Sequence, residues 1–202
     1  SEMCIRDSIY SAGNHDWHYE GMEGTMESLR DTWIEKRLLP LYQGNHPLMA
    51  AYDVKGIRFL AIDNSTYQIN DDQLAFFTEQ VESGVPLVLL VHIPMYAPGK
   101  KIGFGCGNPN WGAATDRNFE LERRPKWPES GHTQTTLDFH KKVFSAPNLL
   151  GVFTGHIHRN SIEIIKGKPQ IVADDNASGG YLYINLHSVS YTHLTLPTKR
   201  IV

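Results

Sequence analysis

The chain has 202 residues, 41% of them apolar and 20% charged, ordinary values for a globular domain that is long enough to bury one sizeable core. Its formal net charge of −3 lacks the basic footprint typical of nucleic-acid binders. The longest apolar run, Leu87 to Val91, is strand-sized and far short of a membrane span, and Cys4 and Cys106 make neither a disulfide framework nor a zinc-ribbon spacing.

Ser1 to Ser8 has neither a signal peptide's apolar core nor helical periodicity, and it resembles translated sequencing-adapter sequence from the ends of metagenomic assemblies. Thr25 is placed to cap a helix with Met26, Leu29 and Trp33 on one face, stopping before Pro40. Leu48 to Tyr52 and Ile57 to Ile62 flank Asp53-Val54-Lys55-Gly56, which reads as a hairpin with glycine at the turn. Asn70 and Gln73 form a capping box for a second helix that aligns Leu74, Phe77 and Val81 and ends at Gly84. Val85 to Val91 is a continuous apolar run, as in a strand covered on both faces.

Ala97 to Gly131 is a long stretch rich in Gly, Pro and Asn, with Phe104, Trp111, Phe119 and Trp127 scattered through it. Loops of this length are often active-site lids. Its aromatics would then shape a substrate pocket; the plainer reading is a surface excursion packed on itself. Thr133 to Ala146 reads as a third helix aligning Leu137, His140 and Phe144, and Leu149 to Phe153 as a buried strand. Ile162 to Ile165 and Ile171 to Ala173 form a hairpin over Lys166-Gly167-Lys168, and Tyr181 to Leu186 alternates strictly, as a further strand would. The tail from about Val189 again resembles adapter sequence rather than an edge strand. The expected organisation is a non-native segment at 1–8, one domain at 9–187 and a non-native tail at 188–202. Localisation is left open between cytoplasmic and exported. The alternation of strands and helices indicates an α/β (α+β) layered sandwich.

Three islands carry the chemistry: Gly13-Asn14-His15-Asp16, His92-Ile93-Pro94 and Gly155-His156-Ile157-His158. Taken singly, Asn14-His15-Asp16 is an ordinary turn and His92 a hydrogen-bonded histidine at a strand end. His156 and His158 stand two apart, so on an extended strand both imidazoles would face one side. Their conjunction, each island following or able to follow an apolar strand, fits the catalytic loops that α/β sheets gather at their carboxyl ends.

In this order the islands resemble the second half of a calcineurin-like metallophosphoesterase: the Asn-His-Asp/Glu turn, the lone strand-end histidine and the Gly-His-x-His turn, over Ser11 to Leu186. The resemblance implies a four-layer αββα sandwich and hydrolysis of phosphomonoesters or phosphodiesters at a dinuclear centre of manganese, iron or zinc. It also assigns roles. Asn14, His92 and His156 would ligate one cation and His158 the other; His15 would face the scissile phosphate, with Asp16 holding it in position. The implied partner is a small phosphoester substrate, with oligomeric state open.

The family's Asp-x-His and Gly-Asp motifs, the second of which bridges the cations, are not found before Gly13. The expectation is therefore an N-terminally truncated domain lacking its first strands, derived from an active parent and itself inactive. A non-catalytic scaffold of the same fold is the alternative. A metallo-β-lactamase-like hydrolase would need a His-x-His-x-Asp-His run, which does not occur. His18, His46, His132 and His140 read as surface or core histidines rather than pocket residues. Asp174-Asp175-Asn176 reads as a solvated turn.

Overall fold

A computed structural model describes residues 8–17, 21–99, 105–110 and 131–186. The adapter-like ends and most of the Ala97–Gly131 aromatic loop, with His18, lie outside the described residues. Helix α1 (Met26–Trp33) starts at Thr25, whose hydroxyl accepts from the Ser28 N–H while the Ser28 hydroxyl accepts from the Thr25 N–H. It does not simply stop before Pro40. A π turn (Ile34–Leu38) and a 3-10 turn (Leu39–Tyr42) follow. Pro40 is accommodated because it lies in the first turn of the 3-10 segment, where its missing N–H costs little.

Strands β1 (Met49–Val54) and β2 (Ile57–Ile62) form the expected antiparallel hairpin. Lys55 and Gly56 both sit at positive φ, as the type I′ turn requires. Helix α2 (Asp71–Glu82) carries the Asn70–Gln73 capping box, and Gln73 also donates to the carbonyls of Leu48 and Asp63. Strand β3 (Leu87–Leu90), helix α3 (Gln134–Ser145) and strand β4 (Leu149–Thr154) follow, then a second Lys-Gly hairpin of β5 (Ser161–Ile165) and β6 (Lys168–Val172). Tyr181–Leu186 is not a strand: it is irregular and exposed, and no strand among the described residues takes its backbone hydrogen bonds.

The six strands make one mixed sheet in the order β1-β2-β3-β4-β6-β5, with β2, β3, β4 and β6 parallel. The molecule is a mixed α/β fold with three α-helices among its described residues. On one sheet face Leu60, Leu89 and Val152 are paired across the strands and fully buried. They pack in a single cluster with Phe77 of α2 and Phe139 of α3, whose rings meet at 5.0 Å. Because the four parallel strands run the same way, the segments after them emerge along one edge of the sheet.

Candidate metal centre

Two of the islands leave the carboxyl ends of adjacent strands. His92 follows β3, and Gly155–His158 follows β4, tied to it by the Gly155 N–H donating to the His92 carbonyl at 3.0 Å. Among the described residues the Asn14 island follows no strand, since residues 8–13 are irregular. It is held instead by tertiary contacts. Trp17, buried, donates from Nε1 to the Ser65 hydroxyl, and that hydroxyl donates to Asp63 just after β2. The turn itself is closed by the Gly13 N–H donating to Asp16 Oδ2 at 2.7 Å, and the same oxygen accepts from the Tyr10 hydroxyl at 2.9 Å.

These anchors bring three donor atoms together. Asn14 Oδ1 lies 3.0 Å from His92 Nε2 and 3.1 Å from His156 Nδ1, and the two ring nitrogens are 3.3 Å apart. Ligands bound about 2.1 Å from a cation lie about 3.0 Å apart at a right angle and about 3.4 Å apart at the tetrahedral angle. The triangle therefore has the dimensions of one face of a coordination shell. Its chemistry, one amide oxygen and two imidazoles, suits borderline divalent ions. Among the described residues no group of three or more His, Cys, Asp or Glu side chains is arranged to hold a metal ion. The third donor of this cluster is an amide.

Asn14 is almost wholly buried, and its Nδ2 has no hydrogen-bond partner among the described residues. Burial holds the His92 imidazolium far below the usual histidine range, at about 3, with His156, His15 and His158 adding repulsion. His92 is thus neutral at any ordinary pH, the form a ligand needs. His15 and His158 are exposed, near enough to act on His92 through their charge. His156 and His158 are not on an extended strand. Both adopt positive φ, at 71° and 51°, in the turn after β4, so two-residue alternation does not govern where they point.

Sequence reasoning missed the segment beneath the cluster. Asp63 to Gln68 is a run of polar side chains with one tyrosine, to which the sequence assigns no element or role, yet every residue in it is buried. Asn64 clamps the strand-end loop of His92, accepting from the Ile93 N–H at 2.9 Å and donating to the Ile93 carbonyl at 2.8 Å. Gln170 of β6 does the same to Met95, at 2.8 and 3.0 Å. Tyr67, fully buried at φ 63°, places its hydroxyl 2.9 Å from His156 Nε2. The available signal was a strained tyrosine position inside a polar run, and one-dimensional patterning cannot register that.

The other histidines are structural where they are described. His46 Nδ1 accepts from the Leu48 N–H, His140 Nε2 donates to the Tyr96 carbonyl, and His132 Nε2 lies between the Gly107 N–H and the Gly105 carbonyl. Asp174 and Asp175 accept from backbone N–H groups of their own turn. Neither a protein-family model nor a curated protein matches the chain.

Proposed function

We propose that this chain is of the calcineurin-like metallophosphoesterase type, metal-dependent hydrolases acting on phosphomonoesters or phosphodiesters. The observation that supports this reading is the convergence of Asn14 Oδ1, His92 Nε2 and His156 Nδ1 within 3.0 to 3.3 Å of one another. These three residues would hold one divalent cation, and His158 would contribute to a second. Bound divalent cations supply a hydroxide nucleophile at neutral pH and neutralise charge on phosphoryl oxygens.

The chain's own contributions are positional and acid–base. His15, exposed beside the cluster, would face the phosphoester and protonate or stabilise the departing oxygen. Asp16 fixes the turn that presents His15, through the Gly13 N–H and the Tyr10 hydroxyl. Asn64 and Trp17 hold the His92 and Asn14 loops at the distances the cation requires. Among the described residues, His158 is the candidate ligand for the second ion, and one imidazole holds a divalent cation weakly. Residues 1–202 should therefore take up one cation and turn over substrate negligibly.

Calorimetric titration of the chain with manganese(II) or zinc(II), beside an assay on an aryl phosphodiester, tests both statements. The expected result is a single binding event abolished by His156→Ala, with no enzyme-like turnover. Absence of binding, or binding indifferent to His156→Ala, overturns the cation reading; turnover at enzyme-like rates overturns the expectation of inactivity.

A further inference from the structure

The second ring nitrogen of His156 faces Tyr67. Asn14 Oδ1 sits within hydrogen-bond distance of His92 Nε2 and His156 Nδ1. An amide oxygen only accepts, so a ring nitrogen that bonds to it donates; with the 3.1 Å bond from His156 to Asn14 formed, His156 Nδ1 carries its proton in the cation-free protein. His156 is then the Nδ1-protonated tautomer, and its Nε2 is an acceptor. The Tyr67 hydroxyl, 2.9 Å away, donates to it. The tyrosine ring also meets the His156 ring edge-on, with centroids 5.6 Å apart and planes at 73°, which limits rotation of the imidazole.

A cation at the triangle needs the lone pair on His156 Nδ1, so that nitrogen must lose its proton. The Nδ1 proton leaves to solvent; to remain neutral, the ring takes a proton from solvent at Nε2, and the bond to Tyr67 must reverse: Nε2–H donates and the phenol oxygen accepts. Carboxylates and carbonyls only accept, and would favour the loaded tautomer alone; an ammonium only donates. A hydroxyl does both, turning its own proton out of the line between the two atoms. We propose that Tyr67 is a positioning residue for cation binding: its hydroxyl satisfies His156 in both tautomers and directs Nδ1, rather than Nε2, at the cation.

The surroundings are built to hold that hydroxyl in place. Tyr67 has no exposed surface and a left-handed backbone, a conformation that costs a bulky residue free energy and persists only where neighbours enforce it. Those neighbours include the Asn64 carbonyl, which accepts from the Tyr67 N–H at 2.8 Å, and the His132 ring stacked on the phenol with centroids 6.4 Å apart.

This inference rests on the reading of the triangle as a cation site, and the experiment separates the two. The full chain and its Tyr67→Phe variant are titrated with zinc(II) by calorimetry, while the imidazole nitrogen shifts of His156 are followed by NMR. Wild type should show Nδ1 protonated without zinc and Nε2 protonated at saturation. In Tyr67→Phe, zinc affinity should fall on the order of 10-fold, the usual effect of losing a partner behind a metal ligand. The zinc-free variant should also show mixed His156 tautomers. Unchanged affinity and tautomer in the variant overturn the role of Tyr67 and leave the cation site standing. No zinc uptake by wild type overturns both. Should Tyr67→Phe fail to fold, wild type decides alone: a His156 that keeps its proton on Nδ1 at saturating zinc overturns the proposal.

Discussion

A Cβ on Gly13 would lie 2.8 Å from Cε1 and 3.0 Å from Nδ1 of His92, well inside the separation at which carbon atoms attract. Glycine is needed here for close approach, so that the His92 ring can lie against the Asn14 turn. Gly13→Ala should push that ring away and open the donor triangle. We expect a stability cost of about 1–3 kcal/mol, as for other overpacked sites. Zinc affinity should fall by at least about tenfold, read by thermal melting and calorimetry; a variant with wild-type affinity would show that His92 has room to retreat. At this scale the sequence displayed the reactive residue types, Asn14, His92 and His156, because they stand in short turn-like islands. The residues that aim them, Asn64, Tyr67 and Gln170, were illegible. Each acts across a sequence gap of 29 to 89 residues, and nothing local in the chain encodes such a pairing.

The helices and hairpins were legible because their signals are local. The Asn70–Gln73 box and the two Lys-Gly turns satisfy backbone groups within a few residues of themselves. Tyr181–Leu186 shows the converse, since alternation describes a strand only if another strand accepts its hydrogen bonds. The start of α3 is bonded to the segment after β2 through Gln68, which donates to the Gly131 carbonyl and accepts from the Thr133 N–H. His132, between those bonds and stacked on Tyr67, is held by burial at about 4, against 6.5 when unfolded. The unfolded chain thus binds more protons than the folded one between those values, and stability falls as pH drops from about 6.5 to about 4. The contribution is on the order of 3 kcal/mol, present in full above about pH 6.5. Thermal melts from pH 7.5 to 4 should therefore fall less steeply in His132→Gln than in wild type. Parallel profiles would mean that His132 does not couple folding to protons.

Across the whole molecule, one row of directly paired residues runs Ala50, Ala61, Leu90, Phe153, Ile171, Ile162 from β1 to β5, on the sheet face opposite Leu60, Leu89 and Val152. Burial fades along it: Ala61 is buried, Leu90 and Phe153 are half-buried beside a cleft of about 370 Å³ shared with Leu182 and Ile184, and Ile162 is 71% exposed. Ile162 and Ile164 stand on the edge strand β5, where unpaired backbone and exposed apolar side chains favour association. The double variant Ile162→Lys, Ile164→Lys should remain monomeric to higher concentration than wild type in light scattering, with little change in melting temperature. Equal self-association in the two proteins would place the contact elsewhere. The sequence by itself determined the six strands of the sheet, the helices, their caps and the residue types able to hold a cation, because periodicity and turn chemistry act over a few residues. Only the tertiary structure decided that Asn14 meets His92 and His156, and that the polar run from Asp63 to Gln68 lies buried beneath them. Parallel strand order set which loops share an edge, and long-range side-chain hydrogen bonds set the distances between them.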